Sequence, residues 1–490
     1  MRDIIFTFFN YFVFFYTSML AIFFVTFAFL SFISLKRRKD YYVESYMRKT
    51  IKESPYTPGI SVIAPAFNEE KTIIDNVNSK LALEYPLFEV VIVNDGSTDS
   101  TLEKMTEYYE LVEVPYAYIE RIKTRPFRRL LKSSNPKYSR LIVVDKENGG
   151  TKADASNAGI NVASYPYFIC TDVDCILEKY ALYRCISPII SSEKQVIAVS
   201  GTMLMANGCV VKDGQIIDVR TPRTPIPLFQ NLEYMRSYLI GKMGWSAING
   251  MPNVSGGFGL FDRSVAIAAG GYDAPSFAED MDLITRMVGY MCDFSRPYKI
   301  IQIPDTCCWT EGPPNLAMLY RQRTRWARGL FQTLNIHRKM IFKKTYKQMG
   351  MLTLPYMFVF EFLAPIIEFV GLIVFIYLAF TGAVNWNTAW MIYLTIYTFC
   401  QFLSIVVITY DYYVGMLYKR GYEYLWIIIA SILEPIFYHP IITFCSLRGY
   451  LSYLTNRDFK WKNMERKGFK QKEESADDTD IKTMKPEPAT

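Results

Sequence analysis

The chain has 490 residues, 51% hydrophobic and 21% charged, with a net charge of +7 and a mean hydropathy of +0.08. That length holds one large catalytic domain plus membrane helices, and the charged fraction excludes a chain wholly buried in lipid, so the apolar excess must be segregated. Only two histidines, His337 and His439, argue against a His-based metal site or Ser-His-Asp chemistry, which leaves proton transfer to carboxylates. Nine scattered cysteines with no Cys-x-x-Cys pair argue against a disulfide framework or a zinc site.

Ile4 to Leu35 carries no charge, and Lys36-Arg37-Arg38-Lys39 follows at once. A membrane crossing needs about 20 apolar residues, so this run spans with length to spare. A cleaved signal peptide fits less well, because the run is too long and is followed by the basic cluster. Residues 1–39 read as a transmembrane helix with a basic flank that stays in the cytoplasm, leaving the N-terminus outside. Basic runs at Lys36–Lys39, Arg121–Lys132 and Arg338–Lys347 suit anionic lipid and nucleotide phosphate. They lack the aromatic interleaving that would point to nucleic acid.

After a polar linker to Pro58, Ile60–Ala64 is a short β run ending at Pro65, and Asn68–Leu83 has helical character. Phe88–Val93, Leu141–Val144 and Tyr167–Cys170 are further apolar strands. Continuous apolar strands alternating with helices predict a parallel sheet covered on both faces. Ligands of such sheets bind at the carboxyl ends of the strands, where Asp95 and Asp172 fall.

Asp95 lies in Asn94-Asp95-Gly96, which also reads as an ordinary turn. Asp172-Val173-Asp174 follows a strand. In an extended chain both carboxylates face one hard cation such as Mg2+ or Mn2+, with a diphosphate supplying further ligands; a bend gives them separate tasks. Glu279-Asp280 offers a general base for an attacking hydroxyl, or an acidic first turn of a helix. Ser255-Gly256-Gly257-Phe258-Gly259 permits close backbone approach. Gln322, Arg325 and Trp326 are spaced i, i+3, i+4 on a helix. Arginine grips phosphate with its planar fork, and tryptophan offers a face to a sugar ring. The alternative is a juxtamembrane helix with Arg323, Arg325 and Arg328 on lipid headgroups.

Met351–Phe380, Ala389–Tyr410 and Tyr424–Leu447 are three further candidate membrane segments. Three full crossings would leave the tail outside, yet Arg448–Lys472 is basic and prefers the inside. Glu434-Pro435 and His439-Pro440 interrupt the last segment, and Pro355 and Pro365 the first, so one of the three is expected to be re-entrant, or the first to hold an interfacial helix plus a span. Glu361, Glu368, Asp411 and Glu434 are expected to face a wet passage or an interface. Residues 451–490 read as a basic, then disordered, cytoplasmic tail.

The order of the carboxylate clusters, followed by Gln322-x-x-Arg325-Trp326 and a long apolar region, resembles the membrane-integrated processive family-2 glycosyltransferases. These are the cellulose, chitin, hyaluronan and poly-N-acetylglucosamine synthases, and the likeness runs from about Pro58 to Leu334. It implies an α/β, GT-A-type cytoplasmic domain at 55–348, with transmembrane helices before it and at 349–450. By resemblance, Ala64, Pro65, Asn68 and Glu69 open the nucleotide site and Asp95 contacts uracil and ribose. Lys152, Asp172, Gln322 and Arg325 complete the nucleotide-sugar site, and Asp172 and Asp174 hold the metal. Asp280 is the base beside Glu279, with Asp282 as the nearby alternative. Gly256, Gly257, Phe258 and Trp326 line the acceptor site, with Trp309 close by. The chain departs from the family pattern at Thr151, which precedes Lys152, and at Ala278, where a threonine is usual.

The implied activity is inverting, processive synthesis of a β-linked exopolysaccharide from UDP-N-acetylglucosamine or UDP-glucose, with export across the plasma membrane. The implied partners are the UDP-sugar, the growing polymer, membrane lipid and accessory secretion proteins. The rivals are a non-processive transferase on a lipid acceptor, and a non-catalytic scaffold or transporter on an inactive transferase domain.

Overall fold

The computed structural model describes residues 2–41, 44–115, 118–212 and 214–455. The expected disorder of Gln471–Thr490 lies outside them. Twelve strands are present: β1 (Ile60–Ala66), β2 (Phe88–Asn94), β3 (Leu111–Glu113), β4 (Phe127–Ser133), β5 (Leu141–Lys146), β6 (Tyr167–Thr171), β7 (Ile176–Leu177), β8 (Gln195–Met205), β9 (Val210–Lys212), β10 (Gln215–Asp218), β11 (Phe258–Asp262) and β12 (Tyr298–Thr310). Ten of them form one sheet in the order β3-β4-β5-β2-β1-β6-β11-β8-β12-β7.

The centre, β5-β2-β1-β6, is parallel and consists of the four strands expected from the sequence. Their residues alternate between two cores. Ile63, Val91 and Val93 face one side, while Val62, Ala64, Val90 and Ile92 face the other. Helices cover both faces, so the strands are apolar throughout. Beyond this centre the sheet is mixed, not parallel: β4 and β11 run antiparallel to their inner neighbours. β11 pairs Phe258 with Thr171, so it begins where β6 ends and carries the Ser255–Gly257 turn to the β6 carboxyl edge. The parallel register of Ala66 with Asn94 and Asn94 with Asp145 brings three loops out at the same level.

Among the described residues, four helices are long and apolar enough to cross a membrane: Tyr11–Arg37, Met349–Phe380, Trp386–Val414 and Gly421–Leu454. The first packs its C-terminal half on the domain, with Phe27 against Trp245 and Ser31 donating to the Leu239 carbonyl. Met349–Phe380 breaks at Leu363. The part before the break packs on the N-terminal helix through Tyr356 and Phe360. The 17-residue Ala364–Phe380 beyond it is mostly exposed.

Gly421–Leu454 behaves differently, since it is docked to the catalytic domain along its whole length. Glu423 receives the Thr221 amide at 3.0 Å and pairs with Arg223 at 2.9 Å. Midway, Glu434 pairs with Arg236 at 2.9 Å. Near the far end Asn335 donates to the Tyr453 hydroxyl at 3.0 Å, and a Cβ on Gly449 would meet the Thr324 carbonyl at 2.6 Å. The opposite face exposes Leu425, Ile428, Ile432, Phe437, Phe444 and Leu451.

Candidate active site

The loop after β1 and the loop after β2 are stitched together. The Asn68 amide donates to Ser97, the Thr98 amide to Asn68 at 2.8 Å, and the Glu69 amide to Thr101 at 2.8 Å. Asn68 adopts φ 56°, a left-handed conformation that asparagine tolerates. Gly96 at φ 64° is required twice over, because a Cβ there would lie 2.7 Å from the Asn148 amide nitrogen. Asp95 accepts from Lys146 at 2.7 Å and from the Gly149 amide at 3.0 Å, and Lys146 also reaches Asp154 at 2.6 Å. Sequence reasoning missed this fully buried lysine, which fixes Asp95 from below.

Thr151, the departure noted before Lys152, is the N-cap of Lys152–Val162 and accepts the Asp154 amide. Lys152 thus leaves the first turn of its helix. It lies 2.7 Å from Asp172 and donates to the Gly256 carbonyl at 2.6 Å. Burial works against its charge, but Asp172 raises its pKa well above the ordinary lysine value.

Asp172 and Asp174 do converge. Ligand atoms of Asp172, Asp174 and Cys175 lie within 4.8 Å of one another. The two carboxylates fit a hard divalent cation; the Cys175 thiol is soft, buried and hydrogen-bonded with Cys308. Beneath this loop the buried Lys80, also missed, donates to the Val173 carbonyl at 2.6 Å and the Cys175 carbonyl at 3.2 Å.

Asp280 stands in the first turn of the helix Glu279–Asp293. Its Oδ2 accepts the Gly256 amide at 3.0 Å and its Oδ1 the Met281 amide at 2.9 Å. Neighbouring Glu279 has its pKa raised, first by burial, with Arg325 opposing. Asp282 is the alternative expected beside Asp280. It is 2% exposed, bonded to His337 at 2.7 Å and Arg286 at 2.8 Å, and absent from the cavity wall. Burial favours its neutral form, but His337 and Arg286 prevail and hold its carboxyl below the usual range. Ala278 stands where helix Leu316–Ile336 passes, and a Cβ on Gly329 would come within 2.6 Å of the Ala278 Cβ.

Gln322, Arg325 and Trp326 share one face of that helix and line the cavity. Gln322 accepts from Gln230 at 3.0 Å. Arg323 and Arg328, which the alternative reading puts at lipid headgroups, are both buried. Arg323 is clamped on Glu233 and Tyr438, and Arg328 lies 3.9 Å from the Phe277 ring centre. Pro65, Asn68, Glu69, Asp95, Lys152, Asp172, Asp174, Gly256, Gly257, Glu279 and Asp280 all border one cavity of about 2260 Å3, with these helix residues. Three expected residues do not reach it. Ala64 and Phe258 are fully buried in the core, because strand alternation turns their side chains inward, and Trp309 is buried in β12. Glu361 does face the cavity. Glu368 meets His439, Asp411 receives the Tyr424 hydroxyl at 2.6 Å, and Glu434 holds Arg236.

Comparison with known proteins agrees with this geometry. Residues 61–212 match the model of glycosyl transferase family 2, and residues 223–444 match glycosyl transferase family group 2. The chain is 28% identical over 282 residues to a poly-beta-1,6-N-acetyl-D-glucosamine synthase of Staphylococcus epidermidis, covering 58% of this chain and 57% of that protein. It is 29% identical over 278 residues to the synthase of the same name from Staphylococcus aureus strain COL, covering 56% and 55%. The match thus spans little more than half the length of these curated relatives. A mannosyltransferase from Pyrobaculum calidifontis, solved with GDP-Man and Mn2+, superposes with a TM-score of 0.52 at 16% identity, covering 90% of this chain and all of that one, a likeness of fold. The two matched stretches both line the one cavity, and the chain thus carries family-2 glycosyltransferase domains.

Proposed function

We propose that this enzyme is an inverting, processive transferase that builds a β-linked polysaccharide from a UDP-sugar and passes it through the membrane. The observation that carries the reading is the position of Asp280, held by the Gly256 amide on the same cavity as Asp172 and Trp326. That cavity, about 2260 Å3, is larger than the roughly 300–1,000 Å3 of a single-ligand site, so a nucleotide sugar and a polymer end fit together. Asn68, Glu69 and Asp95 receive the nucleoside, and Lys152 and Arg325 the diphosphate. Asp172 and Asp174 would hold Mg2+ or Mn2+, whose charge offsets that of the departing UDP. The acceptor hydroxyl forms its bond to the anomeric carbon as the bond to UDP breaks; its proton passes to Asp280 and the electron pair leaves with UDP. Trp326 stacks on the acceptor ring. The staphylococcal relatives favour UDP-N-acetylglucosamine and a β-1,6 link. The test is purified protein given single UDP-sugars, with the product digested by linkage-specific hydrolases. A product of one sugar on a lipid overturns the polymerase reading.

The same reading extends to topology. A helix of 34 residues is about 50 Å long, and both ends of Gly421–Leu454 are fixed to one catalytic domain. This supports a helix lying along the membrane surface, its exposed Ile and Phe side chains in lipid. The chain then crosses three times, at the N-terminal helix, Ala364–Phe380 and Trp386–Val414, and the basic tail returns to the cytoplasm as its charge demands. A membrane-impermeant thiol reagent should fail to label Ser475→Cys in intact cells and label it after permeabilisation. Labelling in intact cells overturns this topology.

A further inference from the structure

Lys242 lies on the wall of the catalytic cavity at the end of the turn Ser237–Lys242. It is 7% exposed, and its ammonium sits 4.5 Å from the centre of the Tyr238 ring. Among the described residues it makes no hydrogen bond and no ion pair, which is unusual for a buried cation and costly unless a partner arrives. Burial lowers its pKa to about 8, with Asp280 opposing that shift, so it stays largely charged near neutrality. Lys152 is tied to Asp172 and to the Gly256 carbonyl, whereas Lys242 lies against Tyr238 on the same cavity wall. Tyr238, whose hydroxyl is bonded to Ser255, fixes Lys242 beside the Ser255–Gly257 turn.

Resting on the reading above, we propose that Lys242 sets acceptor specificity. Its ammonium donates a hydrogen bond to an oxygen of the acceptor sugar, an amide carbonyl or a hydroxyl. By the same charge it turns away a sugar bearing a protonated amine. An acceptor oxygen supplies the hydrogen-bond partner that the protein withholds, and an ammonium group in the same place meets a like charge. The site thereby favours an N-acetylated chain end over a deacetylated one.

The experiment uses the full chain in detergent with UDP-N-acetylglucosamine as donor. The primers are a β-linked N-acetylglucosamine tetramer and the matching glucosamine tetramer at pH 7. Lys242→Met should raise the KM for the acetylated primer about tenfold or more, the scale of a hydrogen bond to a charged group. It should narrow the preference over the amine primer by a similar factor, and leave donor KM unchanged. Lys242→Arg should restore the preference. Lys242→Gln carries the same comparison where the methionine variant does not fold. Unchanged primer KM and preference in these variants overturn the proposal, as does a parallel loss of donor KM, which marks a structural role. A wild-type protein that releases UDP but extends neither primer overturns the polymerase reading itself, and the acceptor role falls with it.

Discussion

Replacing Asp280 with asparagine separates the base from the scaffold that holds it. Asp280 accepts two backbone amides, from Gly256 at 3.0 Å and Met281 at 2.9 Å. An amide side chain keeps one oxygen for one of them, and its NH2 meets the other donor. One hydrogen bond is lost at a cost of about 1–3 kcal/mol, and melting should fall by only several degrees in a domain of this size. The chemical loss is larger. Removing a general base costs about 10²- to 10⁴-fold, or roughly 3–5 kcal/mol at the barrier. The variant is therefore folded at 25 °C and binds donor, because the groups around Asp95 and Lys152 are untouched. Calorimetric titration with UDP-N-acetylglucosamine should give a wild-type Kd while primer-dependent UDP release falls at least a hundredfold. Turnover within threefold of wild type would refute the assignment.

Chelation should abolish UDP release and Mg2+ or Mn2+ restore it, since Asp172 and Asp174 converge on one point; full activity in excess chelator would remove the metal. Trp326→Ala should leave detergent extraction unchanged and cut polymer yield about a hundredfold, the effect of about 1 Å of misplacement. Asp282→Asn removes the buried carboxylate that Arg286 and His337 share and should cost about 1–3 kcal/mol in chemical unfolding. The Asp282 carboxyl is held low, so its contribution is present above the ordinary carboxylate pKa and lost as pH falls through the lowered value. The variant should accordingly lose less stability than wild type on acidification over that range.

The central strands were legible because both faces are buried, which makes each a continuous apolar run. β12 was not, because Pro304 interrupts it and its register shifts between Ile303 and Thr306. β11 was hidden for a related reason. Its Gly-Gly-Phe-Gly opening reads as a flexible turn, although Phe258 is a core residue of an antiparallel strand. The carboxylates of the site were legible as a set, since acids at strand ends have few structural uses. Lys80, Lys146 and Lys242 were not: a single lysine forms no pattern, and what Lys80 and Lys146 hold in place lies on other elements. Ala64 and Phe258 show the converse, that a motif includes residues whose task is to pack behind the site.

The helix Leu316–Ile336 joins the chemistry to the membrane. One face presents Gln322, Arg325 and Trp326 to the cavity, and the other is clamped to Gly421–Leu454. Arg323 is the link. It donates to Glu233 at 2.7 Å and to Tyr438 at 2.9 Å, and its guanidinium lies 4.5 Å from the Trp326 ring centre. Lysine keeps the charge but cannot bind the carboxylate, the hydroxyl and the indole at once. Arg323→Lys should therefore free the Trp326 ring without touching the donor site. Primer-free UDP release should stay within about twofold of wild type, because Asp172 and Lys152 are intact, while product length falls as each chain end is held less well. Polymer of wild-type length would show that Trp326 needs no support from behind, and that the surface helix does not act on the catalytic cavity through Arg323.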